Sequence, residues 1–311
     1  MRTIVGRALL EPPPEGAAIA IGTFDGVHLG HRALIAGAIE SARRAGTEAV
    51  ALTWDRHPSV TLRPDRVPPL LSSSDRKAEL LRATGIDLLA VVAFDEEFSH
   101  LSPEEFVSSV LIEGLDARTV HVGHDWRFGH KAAGDLELLH KLGRDDGFDV
   151  FGVDLQEVSG QAVTSSRIRA AIGDGDVELA RTLLGRPYDV DGMVVAGESR
   201  GKTLGYPTAN LDIDPSLARP PIGIYAGVAQ VAGLTRPAAI SVGTNPTFET
   251  AGRVRVEAYL LDFAQEIYDE RIRLEFWKRL RGERRFDSSE ELVEQMKRDV
   301  EATRAAVGNN R

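Results

Sequence analysis

From about residue 17 to 155, short apolar runs alternate with amphipathic segments, and no other feature restricts the fold of this chain as much. The apolar runs are AAIAIGTF, EAVALTW, IDLLAVVAF, RTVHVG and FDVFGVDL. Between them lie stretches with helical spacing: Leu34, Ile35, Ala38, Ile39 and Ala42, then SSDRKAELLRATG, SPEEFVSSVLIEGL and DLELLHKLGRDDG. Repetition of strand and crossover helix predicts a parallel sheet covered on both faces, a Rossmann-like α/β architecture. Ser102-Pro103-Glu104-Glu105 marks one helix start, because serine caps, proline suits the first helical position and glutamate returns to the cap amide.

Two further helical stretches, TSSRIRAAIGDG and DVELARTLLG, lead into Gly185-Arg186-Pro187, where a hinge is expected. The boundary set there gives domains 1–186 and 187–311. Beyond it come alternating strand-like pieces, YDVDGMVVAG, GIYAGVAQV, AAISVGT, RVEAYLLDF and RIRLEFW, separated by Gly, Pro and Asn. These predict an antiparallel barrel or sandwich, closed by one helix that starts at Ser288-Ser289-Glu290-Glu291 with a second capping pattern.

The chain has no cysteine, which removes disulfides, thiolate metal sites and a cysteine nucleophile. It shows no apolar leader and no stretch near 18 consecutive apolar residues, so a cytoplasmic protein without a membrane partner is expected. A net charge of −10 argues against nucleic acid as a partner, since phosphate-backbone binding needs a positive surface. Small nucleotides remain open, because a few local donors suffice for them. Self-association, a homo-oligomer included, is left open as well.

The segment Gly22-Thr23-Phe24-Asp25-Gly26-Val27-His28-Leu29-Gly30-His31 follows a buried-looking strand and precedes an amphipathic helix. Free amides and the helix dipole there favour an anion, and Gly22, Gly26 and Gly30 let a phosphate approach the backbone. His28 and His31 can face one ligand. Taken alone, such a pair is equally a polar loop or a metal site short of a third ligand. Two other loops belong with it. Thr164-Ser165-Ser166-Arg167-Ile168-Arg169 places hydroxyls and free amides at a helix start, and Gly123-His124-Asp125-Trp126-Arg127-Phe128-Gly129 lies past a strand end, where α/β sheets bind ligands. His57-Pro58 is as much a simple turn as a site-lining loop.

In the second half, Gly201-Lys202-Thr203-Leu204-Gly205-Tyr206-Pro207-Thr208-Ala209-Asn210 is the densest motif. Thr208 and Asn210, two apart on an extended segment, point their oxygens to one side, where they can hold Mg²⁺. Gly201, Lys202, Thr203 and Gly205 suit a flap over phosphates. No Walker sequence occurs.

Together these motifs, in this order, resemble the bacterial bifunctional riboflavin kinase/FMN adenylyltransferase family over roughly residues 15 to 305. The Pro-Thr-Ala-Asn signature stands unaltered, followed by Gly223-Ile224-Tyr225-Ala226 and Ser241-Val242-Gly243-Thr244-Asn245-Pro246-Thr247-Phe248. The resemblance implies a nucleotidyltransferase domain followed by a riboflavin-kinase barrel. It implies that the first domain adenylylates FMN with ATP to FAD, releasing pyrophosphate, and that the second phosphorylates riboflavin to FMN, leaving ADP. It implies Mg²⁺ at both sites, His28 and His31 on the phosphates with Gly22, Phe24 and Gly30 shaping their loop, and Ser165, Ser166 and Arg169 on the triphosphate. Gly123, Asp125 and Arg127 fall on the flavin or adenosine loop, Thr208 and Asn210 on the metal, and Glu257 becomes the general base. Two departures are visible: Trp126 stands where phenylalanine is usual, and Asp269 replaces a turn glycine, which aspartate tolerates because it accepts left-handed geometry. Other readings stay open: a different phosphorylated acceptor for the first domain, a flavin-binding regulator without chemistry, or an RNA-binding protein on a synthetase-like fold.

Overall fold

The structure is a computed structural model that describes residues 1–6, 12–197, 205–244 and 254–308. The chain divides into two compact units, Met1–Ser165 and Ser166–Arg311.

In the first unit, strands β1 (Arg2–Val5), β2 (Ala17–Ile21), β3 (Glu48–Trp54), β4 (Leu88–Val92), β5 (Ala117–Gly123) and β6 (Asp149–Val153) form one sheet in the order β1-β4-β3-β2-β5-β6. Every pairing in it is parallel. Strand β1 precedes the alternation read from the sequence and adds to an edge. The helices are α1 (Leu29–Ala45), α2 (Ser59–Leu62), α3 (Ser74–Arg82), α4 (Glu96–Ser99), α5 (Pro103–Phe106) and α6 (Leu136–Asp146). A short hairpin, β7 (Glu157–Val158) and β8 (Gln161–Ala162), follows the sheet.

Strand alternation sorts the side chains into two cores. Ala18, Ala20, Ala49 and Ala51 share a cluster with Leu34, Ile35, Ala38, Ile39 and Ala42 of α1. Four alanines make that face shallow, so the helix lies close to it. The longer Ile19, Ile21, Val50, Leu52, Leu88 and Val92 join the other cluster, with Phe98, Phe106 and Leu111.

The capping box at Ser102 and Glu105 is formed on both sides. The helix it starts differs from the α-helix expected for SPEEFVSSVLIEGL: after one turn it continues as a π-helix, Val107–Ile112. Ser109 Oγ donates to the Glu105 carbonyl at 2.6 Å, a back-bond that competes with the helical ladder where its pitch widens.

The second unit opens with α7 (Ser165–Asp174), which begins at the division, and α8 (Val177–Leu184), which ends at Gly185 with φ 68. Six antiparallel strands, β9 (Tyr188–Val195), β10 (Ala209–Ile213), β11 (Gly223–Val231), β12 (Leu234–Thr244), β13 (Val254–Leu260) and β14 (Arg271–Arg281), close a barrel in the order β10-β13-β12-β11-β14-β9. The 186/187 boundary falls after α7 and α8; α8 packs on β14 and β9 and so groups with the barrel. Helix Ser289–Gly308 covers β11, β12 and β14, and Ser288 Oγ accepts from the Glu291 amide at its start. Asp269 adopts φ 62, the left-handed geometry its turn requires.

His121 of β5 is buried; its Nε2 meets Ser41 Oγ at 3.0 Å and its ring stacks on Phe151 at 4.8 Å. Burial, then the Arg44 charge, lowers its pKa to about 4 from 6.5. Above pH 6.5 both folded and unfolded states are neutral there. As pH falls from 6.5 towards about 4 the unfolded chain takes up the proton first, so stability is lost across that window, by at most about 3 kcal/mol. His121→Gln is expected to flatten this part of the urea-midpoint profile; an unchanged profile would assign the acid sensitivity elsewhere.

Candidate active sites

Reversal of strand order at β2 decides where the first site can be. Strands β3 and β4 were added on one side of β2, and β5 and β6 on the other. The loops leaving β2 and β5 therefore part in opposite directions and leave a crevice at the carboxyl ends of these two strands. The Gly22–His31 segment leaves β2 there, and the Gly123–Gly129 segment leaves β5.

The first of these loops is held under strain. Phe24 has φ 51 and Val27, a β-branched residue, φ 41. The surroundings impose this shape. The buried Asp25 carboxylate accepts the Leu71 amide at 2.8 and 3.1 Å and the Ser72 amide at 3.2 Å, and Ser72 Oγ accepts the Gly26 amide. Gly22 continues the sheet by donating to Leu52 O at 3.1 Å, while the fully buried Phe24 packs into the core below α1. Ser165 Oγ, at the start of α7, donates to the Asp25 carbonyl.

The strained loop delivers His28 to the helix cap, where its Nδ1 accepts the His31 amide at 3.3 Å. The two imidazoles stack, centroids 3.6 Å apart, with Phe24 edge-on to His31 at 5.3 Å. Gly30 makes room, since a Cβ there would lie 3.2 Å from the His28 ring and 3.4 Å from Val163 O. His31 Nδ1 is buried with no hydrogen-bond partner. Burial, then the His28 and Lys77 charges, holds the His31 pKa well below the ordinary imidazole value. His31 therefore presents a neutral imidazole, stacked on His28, at a helix N-terminus.

Beside it opens a cavity of about 520 Å³ lined by Thr23, Trp54, Phe94, Phe98, Phe106, Trp126 and Phe128 among others. Trp126 and Phe128 stack at 4.7 Å, and Trp54 lies within 5.3 to 6.4 Å of Phe98, Phe94 and Phe106. Of the loop residues named from sequence, Arg127 lines this cavity and pairs with Asp135 at 2.9 Å. Asp125 is exposed and outside the lining, while Gly123 closes a turn with Trp126. Ser166 and Arg169 continue α7 within the second unit.

Sequence reading passed over most of this cavity and over Lys77. Trp54 ends β3, while Phe94, Phe98 and Phe106 lie in the connection from β4 to β5, so no single motif joins them. Lys77 did leave a sign: it stands three and four residues before Leu80 and Leu81, the buried residues of α3, and so on the inward stripe of that helix.

The second site is built by strand register. Asn210 of β10 is the cross-strand partner of Glu257 of β13, which is the partner of Ser241 of β12. Their neighbours Leu211, Val256, Ala258, Ile240 and Val242 are buried in the barrel, so the three polar residues form a row on its outer face. Thr208 Oγ1 donates to Glu257 Oε2 at 3.2 Å. Thr208 therefore bonds this half-buried carboxylate, and Asn210 stands opposite the same residue. Gly205 takes φ 83, while Gly201, Lys202, Thr203 and Asn245-Pro246-Thr247-Phe248 lie outside the described residues. Tyr225 is a core residue, its hydroxyl bound to Pro221 O at 2.6 Å.

A parallel-sheet unit with an anion-type histidine loop, followed by a closed barrel carrying a paired carboxylate, defines a two-domain phosphate-transferring enzyme. Residues 10–167 match the FAD synthetase family and residues 184–307 the riboflavin kinase family. A bifunctional riboflavin kinase/FMN adenylyltransferase of Listeria monocytogenes is 38% identical over 92% of this chain and 91% of its own, and that of Escherichia coli K12 is 36% identical over 96% of both. The chain belongs to the bifunctional riboflavin kinase/FMN adenylyltransferase family, and it phosphorylates riboflavin to FMN and adenylylates FMN to FAD. A solved structure from Streptococcus pneumoniae, described as a macrolide-efflux protein, matches with TM-score 0.89 and 32% identity over 98% of this chain and 99% of that one. The likeness carries the fold; among the described residues here no helix is long and apolar enough to cross a membrane.

Gly197 offers a direct check of the second site. A Cβ there would lie 2.1 Å from Asn210 Nδ2, so Gly197→Ala must displace that amide. Riboflavin phosphorylation is expected to fall by about tenfold or more, with FMN adenylylation unchanged, when both are assayed on the same preparation.

Proposed function

We propose that the His28–His31 loop and the adjoining aromatic cavity carry FMN adenylylation, and that Glu257, Thr208 and Asn210 carry riboflavin phosphorylation. One observation supports the first assignment above others: Thr23 of the histidine loop is itself part of the cavity wall, so a planar ring bound there has its phosphate end beside the imidazoles. The isoalloxazine ring suits a cavity faced by Trp54, Phe106, Trp126 and Phe128, where offset stacking adds to burial.

In this reading the FMN phosphate oxygen attacks the α-phosphorus of ATP in line, forming the new P–O bond as the bond to the bridging oxygen breaks and pyrophosphate leaves. His28 and His31 hydrogen-bond the phosphates as charge develops, and the free amides at the start of α1 add to that stabilisation. Ser165, whose hydroxyl donates to the Asp25 carbonyl, joins Ser166 and Arg169 on the triphosphate on the sequence resemblance alone.

At the second site Glu257 takes the proton of the riboflavin 5′-hydroxyl as that oxygen attacks the γ-phosphorus of ATP, with ADP as leaving group. Thr208 donates to one carboxylate oxygen, leaving the other for the substrate proton. Hydroxyl and amide oxygens are hard donors, so Thr208 and Asn210 fit Mg²⁺ that retains water and phosphate ligands; bound there, it would neutralise charge on the terminal phosphates. A protein located in the cytoplasm, without nucleic acid or membrane partners, completes the proposal.

The test is incubation with riboflavin, ATP and Mg²⁺, with riboflavin, FMN and FAD separated over time. His28→Ala is expected to abolish FAD formation and spare FMN formation; Glu257→Ala is expected to do the reverse when FMN is supplied. Loss of both activities in either folded variant contradicts two independent sites. Trp126→Ala should raise the KM for FMN by about tenfold with little change for riboflavin.

A further inference from the structure

Lys77 is a charged group at the first site for which the mechanism above has no use. It is half-buried on α3, and its ammonium donates to Trp54 O at 3.0 Å, to Thr53 Oγ1 at 3.4 Å and to Thr23 O at 3.5 Å. All three donors of the ammonium are thereby taken by neutral oxygens at the ends of β2 and β3. Among the described residues Lys77 forms no salt bridge: Asp25 and Asp55 attract its charge from a distance. Burial outweighs that attraction and lowers its pKa. A recessed cation bonded only to neutral groups is costly to maintain, and a neutral donor would serve the same three oxygens.

Its position gives the charge a use. Thr23 and Trp54, which it bridges, both line the aromatic cavity, and its field reaches His31. The ammonium thus stands at the meeting of the cavity and the histidine loop, in a chain of net charge −10 that otherwise repels a polyphosphate.

We propose that Lys77 is a positioning residue of FMN adenylylation, a fixed positive charge beneath the crevice against which the phosphate chain of ATP settles. This rests on the adenylylation reading of the His28–His31 site. The phosphates supply a closer counter-charge than Asp25 and Asp55 give Lys77, so nucleotide binding is strengthened more than flavin binding. The effect depends on charge and not on the hydrogen bonds alone, which separates it from a purely structural clamp.

Three variants of the full chain, Lys77→Gln, Lys77→Arg and His28→Ala, test it, with riboflavin phosphorylation in the same protein as the internal control. Gln retains donors to the same oxygens without the charge. Lys77→Gln is expected to raise the KM for ATP in FMN adenylylation by about tenfold while the KM for FMN stays within about twofold, and Lys77→Arg to return the ATP value to near wild type. Thermal midpoints identify any variant that has lost its fold. An unchanged ATP KM in Lys77→Gln, or equal increases for ATP and FMN that Lys77→Arg does not correct, overturns the proposal. If His28→Ala still forms FAD at the wild-type rate, the reading of the site itself is wrong, a failure distinct from that of Lys77.

Discussion

Strand order around β2 is the constraint on which the first unit depends. Because its two neighbours were added in opposite directions, the loops beyond β2 and β5 diverge, and the crevice between them needs no gap in the core. The buried Asp25 converts that crevice into a site. Its carboxylate gathers two main-chain amides from the segment before α3, which ties the loop after β2 to a second stretch of chain. Held this way, Phe24 and Val27 tolerate positive φ, and the helix cap falls on His28 instead of on one of the small polar residues that usually fill such a position. Strain, cap and stacked imidazoles are consequences of one anchored loop.

The barrel reaches a comparable result without helix termini. Antiparallel register places Asn210, Glu257 and Ser241 side by side on three adjacent strands, while the alternate residues fill the interior. Glu257 is half-buried on the outer face, whereas burial at the first site lowers the pKa of His31. The first site sets the buried His31 ring nitrogen and a helix N-terminus beside a crevice. In the proposed chemistry the second site offers a carboxylate to a neutral alcohol.

Much of this was legible in the sequence, and what was legible shares a physical basis. Alternating apolar runs report burial, so the parallel sheet and the barrel strands could be read. Local motifs report local geometry: the capping box at Ser102, the helix start at Ser165 and the left-handed turn at Asp269 each follow from neighbours in the chain. The aromatic cavity was illegible because its walls come from the end of β3, the β4–β5 connection and the loop after β5, and only tertiary structure brings Trp54, Phe94, Phe106 and Trp126 together. The π-helical stretch escaped for another reason, since apolar periodicity fixes which face is buried and says little about pitch.

The substitution of Trp126 for the usual phenylalanine follows from the shape of the cavity. Trp126 lies nearly coplanar with Phe128, 9° between the rings at 4.7 Å, so a larger ring extends an existing stack without crossing the opening. Phe106 meets both rings at 6.2 and 5.8 Å in tilted contacts, which lets the added indole area rest against an edge already present. A flat wall can gain area along its own plane without losing depth. A turn can similarly exchange glycine for aspartate where the side chain accepts the same backbone region, as Asp269 does. Both departures from the family pattern therefore keep a local property of the position, stacking in one case and a positive φ in the other.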